Sequence, residues 1–170
     1  MKLEIMPFAT ERAEDLLGFL KQSWLDTYIG EVGRNATNGL IQSVLGDGLD
    51  ALIPGNDEEA CVGVIGSQIV GSIICAYRNG YLYVWGLYVG RQHQRRGIGR
   101  AMLCHVMADR HEDVIVEVSV LRASERARRF YDKLGFRQVA EESYEMGPGN
   151  PVPSLILQAP VSTIRRHCCL

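Results

Sequence analysis

A glycine-rich turn between a strand and a helix constrains this chain most, and it reads VGRQHQRRGIGRA over residues 89–101. A strand-like run, residues 81–89, precedes the turn, and a helical pattern over residues 99–110 follows it. The first N–H groups of such a helix have no backbone partner and lie at the positive end of its dipole, so they can bind phosphate. Because Gly97 and Gly99 carry no side chain, a pyrophosphate can approach the backbone closely.

The spacing of this turn excludes two common nucleotide motifs. A dinucleotide fingerprint needs a third glycine where Met102 stands, and a P-loop needs four residues between its glycines and then Lys-Ser or Lys-Thr. A G-x-G turn alone is explained equally well by a tight strand-to-helix connection. Residues 94–99 (QRRGIG) also fit the longer pattern Q/R-x-x-G-x-G/A, which is more specific.

A second pattern lies downstream, in residues 124–136 (SERARRFYDKLGF). It matches N-x-x-A-x-x-F/L-Y-x-x-x-G-F, except that Ser124 stands in place of Asn. Two such blocks in this order resemble the GNAT superfamily of N-acetyltransferases, over about residues 2–158. The departure at Ser124 weakens one expected polar contact to the coenzyme A arm, although a serine can still cap the helix.

Length and composition limit the class of protein. The chain has 170 residues, which suggests one domain, and 46% hydrophobic with 22% charged residues is ordinary for a soluble globular protein. A net charge of −2 does not favour nucleic acid, and no apolar run approaches the ~20 residues of a membrane span. Without a signal-peptide core at Met1, we expect a cytoplasmic protein. A homodimer is left open.

Cysteine and histidine usage carries two further expectations. The five cysteines form no C-x-x-C pair, and an odd number suits reduced thiols in the cytoplasm. The four histidines lack metal-ligand spacing, so we expect no metal.

Periodicity and turn residues predict the order β-α-α-β-β-β-α-β-α-β-β, an α+β single domain with a mixed sheet flanked by helices. This order matches the GNAT fold. The first helix is predicted to start after an N-cap at Thr10 and to end or break within residues 23–30. The domain is predicted to cover residues 1–160, and residues 161–170 are expected to form a disordered tail.

The resemblance implies acetyl-CoA as cosubstrate, bound mainly by backbone groups. Backbone N–H groups beside a bulge in the fourth strand would stabilise the oxyanion of the reaction. The residues implied for this binding are Leu87, Tyr88, Val89, Gln94, Arg95, Arg96, Gly97, Ile98, Gly99, Arg100 and Ser124.

The implied reaction moves an acetyl group from acetyl-CoA to a primary amine by direct attack through a tetrahedral intermediate. Tyr131 matches the family's acid, which protonates the departing thiolate, although a core aromatic is the plainer interpretation. Some family members carry a glutamate base at the position of Tyr83. Glu117, on the next strand, is the best carboxylate candidate, and ordered water held by backbone carbonyls is the alternative.

The acceptor is expected to be a small-molecule or peptide amine. Trp24, Tyr28 and Glu31 fall where GNAT enzymes build the acceptor pocket, and aromatic and acidic side chains suit an ammonium group. Trp24 is also explained as the last core position of its helix. Since strand four lacks a carboxylate, a catalytically inactive acyl-CoA-binding sensor or interaction module on the same fold is the alternative function.

Overall fold

The computed structural model describes residues 2–46, 48 and 53–168, and within these residues seven strands form one sheet. The strands are β1 (Leu3–Pro7), β2 (Glu58–Ile65), β3 (Gln68–Arg78), β4 (Tyr81–Val89), β5 (Ile115–Leu121), β6 (Arg137–Glu145) and β7 (Pro151–Pro160). The helices are α1 (Ala13–Val32), α2 (Arg34–Leu45), α3 (Ile98–Met107), α4 (Glu125–Lys133) and α5 (Val161–Cys168). Short 3-10 turns cover Thr10–Arg12 and Arg91–His93. The glycine and acidic residues over 46–59 predict a loop, which falls partly outside the described residues and ends where β2 begins at Glu58.

The sheet is mixed, with the order β1-β2-β3-β4-β5-β7-β6. Neighbouring strands run antiparallel except β4 and β5, which are parallel. The β3–β4 hairpin turns at Asn79-Gly80, where both residues have positive φ, as the Asn-Gly pair predicts. The predicted α+β class and the GNAT-like order of elements are confirmed.

Two hydrophobic cores lie on opposite faces of this sheet. One contains Met102 and Met107 of α3, Tyr131 of α4 and Ile164 of α5. The other packs α1 and α2, through residues such as Leu20, against alternate strand positions. Helices therefore cover both sides of β4, and the functional side chains reach it from both faces.

Helix α1 continues through the segment that the sequence predicts to end or break it. It runs to Val32 and stops only at Gly33, whose φ is 87°. The segment contains no proline, and the packing of Trp24 in the core stabilises the extra turns. As a result Trp24, Tyr28 and Glu31 fall at positions i, i+4 and i+7, on one side of the helix.

The C-terminal tail is a helix, which corrects the prediction of disorder. Val161 and Ile164 of α5 are fully buried. The guanidinium of Arg165 donates hydrogen bonds to the carbonyl oxygens of Met107 (2.7 Å) and Ala108 (2.8 Å) and so ties α5 to the end of α3. Only 169–170 of the predicted tail lie outside the described residues.

The expectation of uniformly reduced thiols is also wrong for one pair. A disulfide joins Cys104 of α3 to Cys168 at the end of α5, 64 residues apart. Cys61 and Cys75 are free, and Cys75 is fully buried. None of the described helices combines the length and apolar character that crossing a membrane would require.

Candidate functional site

Strands β4 and β5 pair over three residues and then separate. They pair only at Tyr81↔Ile115, Leu82↔Val116 and Tyr83↔Glu117. Residues 84–89 of β4 therefore make no ladder with β5, and a V-shaped gap opens beyond the Tyr83–Glu117 pair. Backbone groups along this gap are available to a ligand, because no neighbouring strand takes them up on that side.

A bulge in β4 lies along the gap. Ile74 pairs with Trp85 and Ser72 with Tyr88, so two residues of β4 oppose one of β3. Gly86 has a φ of 63°, which residues other than glycine rarely adopt. The Ser72 hydroxyl donates a 2.8 Å hydrogen bond to the carbonyl oxygen of Gly86. Ser72 thus fixes the bulge, and Leu87, Tyr88 and Val89 follow it directly.

The glycine-rich turn connects the end of β4 to α3. Gly97 is the N-cap of α3 with a φ of 80°, and no side chain of the described residues caps this end of the helix. Arg95 also has a positive φ, 62°, which is uncommon outside glycine. The Gln94 side chain donates a 3.1 Å hydrogen bond to the carbonyl oxygen of Val89 and so ties the turn to β4.

A ligand of extended shape fits this region, since the gap and the turn belong to one cleft of about 1950 Å³. A Cβ added at Gly97 would have no described atom within 4 Å, so the space in front of it is open. The cleft is lined by cations from the turn, α3 and α4, namely Arg91, Arg95, Arg100, Arg126, Arg129 and Lys133. Arg96 is exposed on the surface and does not line it.

The acidic side chains of the cleft lie mainly elsewhere. Asp26 and Glu31 belong to α1 and Glu58 to β2, whereas Glu125 of α4 is neutralised by Arg129 at 2.9 Å. The cleft is therefore basic near the turn and acidic near α1.

Ser124 stands at the N-cap position of α4, but its hydroxyl does not cap the helix. It donates a hydrogen bond to Oε2 of Glu31 instead. This contact joins α4 to α1 across the cleft, so a predicted coenzyme A residue and a predicted acceptor residue meet.

Tyr131 is a core aromatic residue that also lines the cleft. Its ring packs edge-on against Phe130 and Phe136, with centroids 5.0 and 5.1 Å away, and only 8% of the residue is exposed. The same residue lines the cleft. Burial, and to a smaller extent the nearby Tyr88 hydroxyl, raises the pKa of Tyr131, so the phenol keeps its proton.

Tyr83 and Glu117 face each other where β4 and β5 part, and neither lines the cleft itself. The Gln158 side chain donates a 2.5 Å hydrogen bond to Oε2 of Glu117. Partial burial and the charge of Glu117 raise the pKa of Tyr83. Tyr83 and Glu117 form the last residue pair between β4 and β5, so they lie at the apex of the gap.

The predicted acceptor residues form an aromatic cluster with Tyr88. The hydroxyls of Tyr28 and Tyr88 are 2.9 Å apart, and the Trp24 ring is tilted against Tyr88 at 5.9 Å. The Trp24 N–H makes no hydrogen bond within the described residues. Trp24 is a core residue and lines the cleft as well.

Sequence reasoning missed the side chain of Tyr88, which it considered only for its backbone. It also missed Ser72, the residue that fixes the bulge. The alternation of β4 around Gly86 is the one signal that could have indicated a face for Tyr88.

One family model, the acetyltransferase (GNAT) domain, matches residues 41–148 of this chain. The match includes the gap, the glycine-rich turn and α4. No curated protein sequence matches the chain.

Solved structures share the whole fold at low sequence identity. PaiA N-acetyltransferase from Thermoplasma acidophilum, in complex with coenzyme A, superposes with a TM-score of 0.77 at 19% identity, over 94% of this chain and 99% of that one. Ribosomal-protein-S18-alanine N-acetyltransferase from Escherichia coli gives 0.68 at 14% identity, over 95% of both chains. A GCN5-related N-acetyltransferase from Rhodopseudomonas palustris gives 0.77 at 12%, over 94% and 96%. With its family model, its seven-stranded sheet and its parted β4 and β5, this chain belongs to the GNAT acetyltransferase family.

Proposed function

We propose that this protein transfers an acetyl group from acetyl-CoA to a primary amine, in the cytoplasm where acetyl-CoA is available. The separation of β4 from β5 is the observation that carries the proposal. It opens one cleft that runs from the bulge in β4 to the glycine-rich turn, where phosphates would bind. PaiA from Thermoplasma acidophilum, which has the same fold, was solved with coenzyme A.

The phosphates of acetyl-CoA would bind at the glycine-rich turn. The residues present fit them: the N-terminus of α3 is uncapped, the space before Gly97 is open, and the surrounding side chains are cationic. Backbone N–H groups of residues 95–100 bind the pyrophosphate in this proposal, and Arg95 and Arg100 add positive charge. Gln94 acts indirectly by holding the turn on β4.

The chemical step needs donors for an oxyanion and a proton for a thiolate. Backbone N–H groups of residues 87–89, beside the bulge, serve as the oxyanion donors in this proposal. Tyr131 donates a hydrogen bond to the departing sulfur. Because the raised pKa of Tyr131 makes full proton transfer to a thiolate of pKa ~8.5 unfavourable, water completes the protonation.

The acceptor amine would enter from the α1 side of the sheet. Trp24, Tyr28 and Glu31 offer aromatic faces and a negative charge to an ammonium group. Tyr83 and Glu117 lie at the apex of the gap, where they can order water near the reacting amine. The acceptor is a small molecule or a peptide with a free amine.

The test combines binding with turnover. Acetyl-CoA should raise the melting temperature, since a ligand that binds only the native state stabilises it. Release of free coenzyme A should then depend on added amine across a panel of small amines and short peptides, with amine-free samples as the control. Binding without amine-dependent release would identify an inactive acyl-CoA-binding module, and absence of binding would refute the cosubstrate.

A further inference from the structure

Two tyrosine hydroxyls from distant parts of the chain meet inside the cleft. Tyr28 lies on α1 and Tyr88 on β4, just past the bulge, and their hydroxyl oxygens are 2.9 Å apart. Both residues line the cleft. One O–H donates to the other oxygen, so the pair retains one further proton to donate and lone pairs to accept another.

A carboxylate lies beside this pair. Glu31 follows Tyr28 by three residues on the same side of α1, without a direct hydrogen bond between the two side chains. Burial, and to a smaller extent the charge of Glu31, raises the pKa of the Tyr28 hydroxyl. Ser124 donates to Oε2 of Glu31, whereas Oε1 accepts no hydrogen bond from the described residues. Glu31 lines the cleft, unlike Glu117, which does not line it and already accepts a hydrogen bond from Gln158.

We infer that Tyr88, Tyr28 and Glu31 form the path by which the acceptor amine loses its proton, an inference that rests on the proposed acetyl transfer. The N–H bond of the ammonium breaks, and nitrogen keeps the electron pair with which it attacks the thioester. In one concerted transfer the proton passes to the Tyr88 oxygen as Tyr88 passes its own proton to Tyr28, and Tyr28 passes its proton to Glu31 through a bridging water in the cleft. Both tyrosines end neutral, and the new carboxylic acid returns its proton to solvent.

Burial keeps the two hydroxyls in the form that this path needs. It raises the pKa of Tyr28 to about 12 and raises that of Tyr88 as well, so both stay protonated at neutral pH. A neutral phenol can accept one proton while it donates another, whereas a phenolate has none to donate. Tyr131 of α4 and Tyr144 of β6 line the same cleft, and burial raises the pKa of each of them too. Glu31 is the charged group in this set.

Ring packing is the rival explanation for the tyrosine pair. The Tyr28 and Tyr88 rings meet edge-on at 6.4 Å, and Trp24 is tilted against Tyr88. A Tyr-to-Phe change keeps the rings and removes only the hydroxyl, so it separates packing from proton transfer.

The experiment measures kcat/KM for one good amine from neutral pH up to the pKa of that amine, ~10.4 for a lysine-like group. Tyr88→Phe and Glu31→Gln should each lower kcat/KM ~10²-fold at neutral pH. The loss should shrink as the pH rises, because the amine then arrives neutral. The double variant should have the same kcat/KM as the less active of the two single variants, since both changes interrupt one path. The rise in melting temperature with acetyl-CoA should be unchanged, and Tyr77→Phe, an exposed residue of β3 outside the cleft, is the matched control.

Four results would overturn the inference. If Tyr88→Phe and Glu31→Gln leave kcat/KM unchanged in an active enzyme, the proton path is refuted and the proposed function stands. A loss of kcat/KM of equal size at every pH would likewise refute the path, because it would show that the side chains contribute packing only. A pH-dependent loss in Glu117→Gln but not in Glu31→Gln would assign the proton to Glu117. Wild-type protein that binds acetyl-CoA but acetylates no amine would refute the proposed function, and the path with it.

Discussion

The sharpest test of the cosubstrate site compares two glycines with nearly the same backbone conformation. Gly97 starts α3 with a φ of 80°, and Gly80 closes the β3–β4 hairpin with a φ of 84°. A Cβ added at either position would meet no described atom within 4 Å. Gly97 lines the cleft and Gly80 does not, so Gly80→Val is a matched control for Gly97→Val.

Both substitutions force a side chain into the left-handed region, which costs about 1–2 kcal/mol in the free energy of unfolding. For a domain of this size each kcal/mol moves the melting temperature by about 2–4 °C, so both variants should melt about 2–8 °C lower than the wild type. Because no neighbour clashes, neither variant should misfold.

The variants should differ only when acetyl-CoA is added. At one hundred times its dissociation constant a ligand stabilises the native state by about 2.7 kcal/mol, which corresponds to a rise of about 5–11 °C. Differential scanning fluorimetry should show this rise in the wild type and in Gly80→Val and none in Gly97→Val. An equal rise in all three proteins would refute the assignment of the pyrophosphate to this turn.

Three further predictions concern the reaction and the C-terminal helix. Tyr131→Phe should lower kcat ~10²-fold with little change in acetyl-CoA affinity, since the ring stays packed, and an unchanged kcat with chemistry rate-limiting would leave Tyr131 a core aromatic only. If the amine instead loses its proton to water ordered by Tyr83 and Glu117, Tyr83→Phe should lower kcat/KM at least as much as Glu117→Gln, with losses that shrink toward high pH. A silent Tyr83→Phe beside an impaired Glu117→Gln would contradict that order. Reducing the Cys104–Cys168 disulfide, which closes a loop spanning 64 residues, should lower the free energy of unfolding by about 2–4 kcal/mol and the melting temperature by about 4–16 °C. If mass spectrometry shows both thiols free and the melting temperature is the same with and without reductant, that estimate is wrong.

Local sequence patterns determined most of the secondary structure of this protein. The glycine-rich turn, the Asn79-Gly80 hairpin and the alternation of the strands each involve residues close together in sequence, where backbone preferences and hydrophobic period act directly. They were sufficient to predict the order of strands and helices, the mixed sheet and the turn between β4 and α3. The family resemblance then assigned roles to Gly97 and Tyr131, and these remain proposals.

Tertiary packing decided the rest. Helix α1 passes through the predicted break because Trp24 packs in the core, and this places Tyr28 and Glu31 on one side of the helix. Propensity alone could not predict this, since core contacts outweigh the small helix preferences of single residues. The tail becomes α5 for the same reason, through buried apolar side chains and the bonds of Arg165 to the end of α3.

The contacts that define the candidate site join residues far apart in the chain. Tyr28 meets Tyr88 across 60 residues, and Glu31 meets Ser124 across 93. No local pattern encodes such a pair, because each partner alone has the composition of an ordinary helix or strand residue. Their approach follows from where the sheet and α1 are packed, so only the folded structure brings the hydroxyls and the carboxylate into one cleft.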